Sequence, residues 1–187
     1  MSCLDRLRFE FGIFFCHELH ELLSCNSWRN FRDFIDNQIL KIMSSSFIQS
    51  IQVRWADLDP NYHVRHSVYY DYGAYCRICY LNGYGVTAGF FNQNHFGPIL
   101  LKEECIFRRE IRLDDLVTID LQLLKARADY SRWTIQHTIT RNNQHAATLS
   151  MDGAWIDTIQ RKLTVPPELA RASFENMPRT EGFEWIK

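Results

Sequence analysis

Apolar residues recur along the middle of this chain with two different spacings, and the first spacing predicts one helix. Steps of three and four residues connect Val68, Tyr72, Tyr75, Cys76, Cys79 and Tyr80. This spacing predicts an amphipathic helix from about Ser67, capped by Ser67 or His66 and ended by the glycines that follow position 82. Gly73 lies inside it, where glycine costs roughly 1 kcal/mol relative to alanine. We therefore expect another backbone to pass close to Gly73.

Five other segments have the period of two that is typical of strands. The first covers residues 51–55, and the others cover 99–111, 116–126, 131–141 and 146–158. Short polar turns connect the last four segments, which favours antiparallel hairpins. One helix with five mostly antiparallel strands predicts an α+β domain whose sheet curls around the helix.

The two ends of the chain differ from this middle part. Residues 1–42 repeat apolar positions at helical spacing, which predicts a helical extension. It is either an upstream piece without a packed fold or a helical hairpin that covers a hydrophobic surface or a dimer edge. We divide the rest into a linker at 43–48, a domain at 49–160 and a tail at 161–187. The tail predicts a short final helix followed by a mobile end.

Composition limits the classes of protein that fit. The chain has 187 residues, of which 46% are hydrophobic and 14% aromatic, as expected of a folded domain of ordinary size. A net charge of -1 gives no strong field for nucleic acid or an anionic membrane. The apolar run at 11–16 is far shorter than the roughly 20 residues of a membrane span. Six cysteines without a regular framework or a preceding signal sequence indicate reduced thiols in a cytoplasmic protein.

The candidate chemistry lies between the first strand and the helix. The segment at 57–64 is rich in turn formers and reads Asp-Leu-Asp-Pro-Asn-Tyr-His-Val. Pro60 favours an extended Asp59 and removes a backbone donor, so a reactive loop is plausible. On these residues alone, an aspartate before a proline is more often a turn or capping residue. His63 and His66 are equally compatible with capping the helix or titrating at the surface.

The loop, Tyr69 and the aromatic-rich helix together resemble the acyl-CoA thioesterases of the hotdog fold, in particular the 4-hydroxybenzoyl-CoA thioesterase-like group. The resemblance covers about residues 49–160 and implies a five-stranded antiparallel sheet wrapped around one central helix. It implies that Asp59 is the catalytic carboxylate and that His63 occupies the position of a histidine often found there. Many relatives have two asparagines after the His-Val pair, where this chain has Arg65 and His66.

The resemblance implies hydrolysis of an acyl-CoA thioester to a carboxylic acid and free CoA. Asp59 would act as general base or as nucleophile, and the sequence does not choose between them. Backbone amides near His66, at the start of the helix, would stabilise the oxyanion. Tyr69 is a candidate for substrate binding or for the core. Arg127 and Arg132 are candidates for binding the CoA phosphates, although exposed arginines often only solvate a face.

Other features bear on cofactors and partners. Cys76 and Cys79 have metal-ligand spacing, but they fall inside the predicted helix without a second pair, so we expect no metal or redox cofactor. An exposed sheet edge and a half-covered helix predict a homodimer or homotetramer. The aromatic loop at 90–96 is a candidate lining of the acyl pocket. The alternatives are an acyl-carrier-protein thioesterase, another hotdog enzyme such as a dehydratase, and a non-catalytic acyl-binding module.

Overall fold

The computed structural model describes residues 46–187, and the predicted extension at 1–42 lies outside them. The described helices are α1 (Val68–Gly83), α2 (Ala88–Gln93) and α3 (Glu168–Glu175). The described strands are β1 (Phe47–Ile51), β2 (Phe96–Phe107), β3 (Val117–Ala126), β4 (Arg132–Arg141), β5 (Gln144–Asp157), β6 (Lys162–Leu163) and β7 (Arg179–Trp185). The prediction of an α+β hotdog domain is confirmed, because a curled antiparallel sheet wraps around α1.

Five strands form the main sheet in the order β1-β3-β4-β5-β2, and each neighbouring pair is antiparallel. Buried and half-buried residues alternate along most of β3 and β4 and in the middle of β5, as one-sided burial of an antiparallel sheet requires, whereas residues 153–156 of β5 are all buried. Two short strands extend the sheet, β6 on β5 and β7 on β3. Within residues 46–187, β2 pairs with β5 alone, so one of its edges is free.

Helix α1 packs its apolar stripe on the concave side of the sheet. The residues it buries are Val68, Tyr69, Tyr72, Gly73, Cys76, Tyr80 and Leu81. A Cβ at Gly73 would lie 2.3 Å from the Leu149 Cδ2 atom of β5. The close neighbour that excludes a side chain at Gly73 is therefore a leucine side chain and not the backbone that we expected.

Two predicted segments near α1 differ from the structure. The alternating residues 51–55 are not a strand, because β1 ends at Ile51 and a 3₁₀ turn occupies Trp55–Asp57. Asp57 favours that turn by accepting a hydrogen bond from the Arg54 amide at 2.9 Å. The loop at 86–95 contains helix α2, whose first turn is capped by the Thr87 hydroxyl, which accepts from the Phe90 amide.

The tail contains the predicted helix, but its end is an ordered strand instead of a mobile segment. Phe174 of α3 is buried in the core. Strand β7 then runs parallel to β3, where the Leu123 amide donates to the Pro178 carbonyl at 2.7 Å. The Arg179 guanidinium lies over the Phe183 ring at 4.5 Å. The pairing with β3 depends on a strand about 55 residues earlier in the chain, which local sequence cannot reveal.

Candidate active site

The loop between β1 and α1 contains two aspartates with different surroundings, and Asp57 is the buried one. Its carboxylate accepts hydrogen bonds from the Arg54 guanidinium at 2.7 Å and from the Tyr72 hydroxyl at 3.3 Å. Burial alone would raise the pKa of Asp57, but the hydrogen bonds from Arg54 outweigh burial and lower it. Asp57 therefore fixes the turn that leads to α1.

Asp59 is half-buried in a tight hairpin at 58–64, which a bridge between Leu58 and Val64 closes. The Asp59 amide donates to the His63 carbonyl at 2.8 Å. The Asp59 Oδ1 atom accepts from the amide of Asn61 at 2.8 Å and from that of His63 at 3.1 Å. The structure thus brings Asp59 and His63 together through the backbone, with Oδ1 held in place.

The electrostatics of this hairpin keep Asp59 ionised. The hydrogen bond from the His63 amide is the main cause that lowers the pKa of Asp59, and the Asn61 amide adds to it. Within residues 46–187, the Oδ2 atom has no hydrogen-bond partner. One oxygen is therefore fixed by the loop, while the other can contact water or a substrate.

The start of α1 provides backbone donors. Ser67 occupies the N-cap position, but its helical backbone (φ -66°, ψ -30°) leaves its side chain without a capping hydrogen bond. The prediction of a side-chain cap is therefore wrong for Ser67. In the part of the chain that the structure describes, the amides of His66 and Ser67 have no acceptor. Free amides with a partial positive charge at a helix start can stabilise an oxyanion.

His66 and Tyr69 line an open cleft of about 320 Å³ beside this helix start, together with Phe107, Arg108 and Arg109. The Tyr69 ring packs edge-on against Phe107 with their centroids 4.9 Å apart, and burial raises the pKa of Tyr69 to about 12. Tyr69 is thus both a core residue and a cleft residue. Arg108 and Arg109 fall inside the strand predicted at 99–111, so the sequence pattern did not indicate them as site residues. Strand β2 ends at Phe107, and the amides of Arg108 and Arg109 both donate to the Ala146 carbonyl.

Arg127 and Arg132 lie together at the β3–β4 hairpin, where the Arg127 amide donates to the Arg132 carbonyl at 2.9 Å. Ile51, at the end of β1, pairs with Val117, so the Asp59 loop follows the opposite end of β3. Ten strand residues separate the two ends by roughly 30 Å. Within one chain, the structure does not bring the two predicted phosphate-binding arginines near Asp59.

A second cavity lies between the later half of α1 and the sheet. It has a volume of about 230 Å³, and Phe91 from the predicted aromatic loop is among its lining residues. Phe91 also packs on Phe96 with their ring centroids 5.2 Å apart. The structure thus places one aromatic of the 90–96 loop against an apolar space inside the domain.

Comparison with known proteins establishes the family. A sequence model of the Thioesterase-like superfamily matches residues 53–173, which is more than half of the chain, so the chain belongs to that superfamily. The match includes the Asp59 hairpin and α1. No curated protein matches the chain.

Solved structures show the same fold at low sequence identity. A hypothetical protein of Staphylococcus aureus in complex with CoA has a TM-score of 0.66 at 18% identity, covering 76% of this chain and 88% of that one. A Thermus thermophilus thioesterase complexed with coenzyme A and Zn has a TM-score of 0.58 at 24% identity, covering 70% and 92%. A 1,4-dihydroxy-2-naphthoyl-CoA thioesterase of Synechocystis has a TM-score of 0.62 at 17% identity, covering 68% and 94%.

Among the helices of residues 46–187, none has the length and apolar character needed to cross a membrane.

Proposed function

We propose that the protein is an acyl-CoA thioesterase that releases a carboxylic acid and free CoA. The main support is Asp59, whose ionised carboxylate has one oxygen fixed by backbone amides and the other free. Membership of the Thioesterase-like superfamily supports the reaction class. Two structures of the same fold contain CoA, which supports the choice of thioester.

In the proposed reaction, Asp59 either removes a proton from an attacking water or attacks the thioester carbonyl itself. Both routes place negative charge on the carbonyl oxygen, and the free amides of His66 and Ser67 stabilise it. The carbon–sulfur bond then breaks and the CoA thiolate leaves. In the general-base route the thiolate takes up the proton that Asp59 removed from water, and the carboxylic acid is released directly. In the nucleophile route the acyl group stays on Asp59 as a mixed anhydride, which water hydrolyses to the free acid, restoring Asp59 and supplying the proton for the thiolate. The backbone of His63 orients Asp59 by accepting from the Asp59 amide and donating to the Asp59 Oδ1 atom, and His66 lines the cleft beside the start of α1.

We also propose that two copies pair through the free edge of β2. That edge carries the exposed apolar side chains of Leu100, Leu101, Ile106 and Phe107. Unpaired strands with exposed apolar residues favour pairing with another chain. The N-terminal end of β2 lies beside the β3–β4 hairpin, since Phe96 pairs with Asp157 and Ala154 pairs with Arg132.

This pairing would bring Arg127 and Arg132 of one copy near the candidate active site of the other. If two β2 strands pair antiparallel about a twofold axis, the hairpin end of one copy faces the α1 start of the other. We propose that these two arginines bind the CoA phosphates across the dimer. Their long distance from Asp59 within one chain does not contradict that role.

The test is thiol release from a panel of acyl-CoAs by the wild type and by Asp59→Asn, which keeps the shape of the side chain and removes its charge. We expect the variant to lose at least about a hundredfold in kcat, or ~2.7 kcal/mol of transition-state stabilisation. Asp157→Asn is the matched control, because the Asp157 Oδ1 atom accepts from the amides of Ile159 and Gln160 in the same manner.

A loss of less than about tenfold in Asp59→Asn would remove Asp59 from the chemistry. If the wild type cleaves no acyl-CoA, the function is better explained as that of an acyl-carrier-protein thioesterase or of a non-catalytic acyl-binding module. Release from an acyl carrier protein would separate these two, since a binding module produces no free acid.

A further inference from the structure

The apolar cavity beside α1 has an exposed rim and a buried floor. Ala74, Ile78 and Leu100 line its rim, and all three side chains are exposed. Met151 and Trp155 form part of its floor and are no more than 1% exposed. A ligand could therefore enter from the surface between α1 and β2 and bury its end against the sheet.

Residues 46–187 contribute no free polar group to the lining of this cavity. Among the lining residues that the structure describes, Arg77 is the one with a charge, and its guanidinium contacts Glu103 at 3.2 Å and the Nε2 atom of His137 at 3.3 Å. The indole nitrogens of Trp133 and Trp155 have no hydrogen-bond partner within residues 46–187. Both are enclosed by protein and present no surface to the cavity. A hydroxyl or carboxylate bound there would lose its hydrogen bonds to water without replacement.

We propose that this cavity holds the end of an unbranched aliphatic acyl chain and so sets the acyl preference of the enzyme. The inference rests on the proposed thioesterase function, because the chain must extend from a thioester near Asp59. A cavity of about 230 Å³ is smaller than typical pockets for whole ligands, which fits an acyl end and not the CoA part. Acyl groups with ring hydroxyls are poor substrates.

The geometry gives an approximate chain length. Ala74 follows Val68 by six residues, so the rim lies roughly 9 Å along the helix from its start. An extended hydrocarbon chain advances roughly 1.3 Å per carbon, given carbon–carbon bonds of about 1.5 Å. About seven carbons therefore reach the rim, and several more enter the cavity. The preferred chains have roughly 10 to 16 carbons, and kcat/KM rises by about fourfold for each methylene that the cavity buries.

Removing a wall residue tests the boundary of the cavity. Phe91→Ala enlarges the cavity and shifts the preferred chain length upward by about two to four carbons, since a lost aromatic ring leaves room for several methylenes. Phe90→Ala is the matched control, because Phe90 lies in the same helix, is also half-buried and packs on Phe96, but does not line the cavity. Its chain-length profile stays that of the wild type.

Filling the cavity tests the same boundary in the other direction. Ala74→Leu projects into the rim and shifts the preference downward by about three carbons. Asn82→Leu places the same side chain on an exposed position of α1 that does not line the cavity, and it leaves the profile unchanged. If all four variants share the wild-type profile while hydrolysis continues, the cavity inference fails and the thioesterase function stands.

A binding measurement separates this inference from the reaction. Trp133 and Trp155 line the cavity, so sodium dodecanoate bound there changes the tryptophan emission of the full chain. We expect Ala74→Leu to weaken this binding at least about tenfold and Asn82→Leu to leave it unchanged. This result supports the cavity even if no acyl-CoA is hydrolysed. Equal binding by both variants, or no emission change in the wild type, overturns the inference.

Discussion

The two halves of α1 face surroundings of opposite character. Polar groups surround the start of the first half. They are the carboxylate of Asp59 in the preceding hairpin and the free backbone amide of His66. The second half faces an apolar cavity, and Arg77, the one charged residue in the described part of its lining, is already paired with Glu103. One helix therefore presents backbone polarity at its start and hydrocarbon contacts further on. Changes to the free polar groups at the start should affect the rate, changes to buried groups should affect stability, and changes to the cavity should affect chain preference.

The largest expected effect on stability comes from the buried aspartate at the helix start. Asp57→Ala removes acceptors from the Arg54 amide and from the buried Tyr72 hydroxyl. We expect the free energy of unfolding to fall by about 2 to 3 kcal/mol, since buried donors are left unpaired. Asp59→Asn changes it by less than about 1 kcal/mol, because Asn61 and His63 can still donate to the amide oxygen. Urea titration measures the free energy of unfolding of both variants. Equal losses in the two would contradict a structural role for Asp57 and a catalytic role for Asp59.

A pH-dependent effect comes from the histidine under the middle of α1. His137 is fully buried, and burial lowers its pKa to about 3, helped by the nearby charge of Arg77. Its Nε2 atom accepts from Arg77 and its Nδ1 atom donates to the Asp120 carbonyl at 2.6 Å, which requires the neutral ring. An unfolded histidine takes up a proton near pH 6.5 while the folded one does not. The folded state is therefore stabilised less as pH falls from 6.5 towards 3, by about 2 kcal/mol at pH 5.

The measurement is the free energy of unfolding between pH 7 and pH 4. The His137→Gln variant lacks the titrating ring and should lose this slope, although it is less stable at pH 7. His145→Gln is the control, because His145 is half-buried near the start of β5, where its Nε2 atom contacts the Thr148 hydroxyl. If His137→Gln keeps the wild-type slope, His137 is not its source.

Local patterns predicted the parts of the fold that local residues determine. Period-two segments with polar turns between them placed β3, β4 and β5 within about two residues of their observed ends. The pattern at 51–55 failed because the Asp57 carboxylate stabilises a turn there. Strand β7 was missed because it depends on β3, distant in the chain. Asp59 and His63 could be predicted as site residues because they lie in the short motif at 57–64. Arg108 and Arg109 could not, because they line the same cleft as His66 only in the folded chain.

A smaller effect comes from the close contact of α1 with β5. Gly73→Ala places a methyl group where Leu149 Cδ2 would be 2.3 Å away, so the leucine side chain must shift. We expect a loss of about 1 to 2 kcal/mol in the free energy of unfolding, because overpacking outweighs the gain in helix propensity. Gly83→Ala is the control, since a Cβ there meets no atom within 4 Å and the substitution should be neutral or stabilising. If Gly73→Ala leaves the free energy of unfolding unchanged, the Leu149 side chain can shift without cost.

The smallest expected effect distinguishes two pairs of arginines that could bind the CoA phosphates. Arg108 and Arg109 line the cleft at the α1 start of the same chain, whereas Arg127 and Arg132 reach it only across a dimer. Charge reversal of the pair that binds should raise the KM for acyl-CoA by about three- to tenfold, since exposed charge pairs contribute roughly 1 kcal/mol or less each. The effect should weaken as salt is added. A KM that rises only for Arg127→Glu with Arg132→Glu supports binding across the dimer. A rise only for Arg108→Glu with Arg109→Glu would place the phosphates in the cleft of the same chain and remove the proposed role of the other pair.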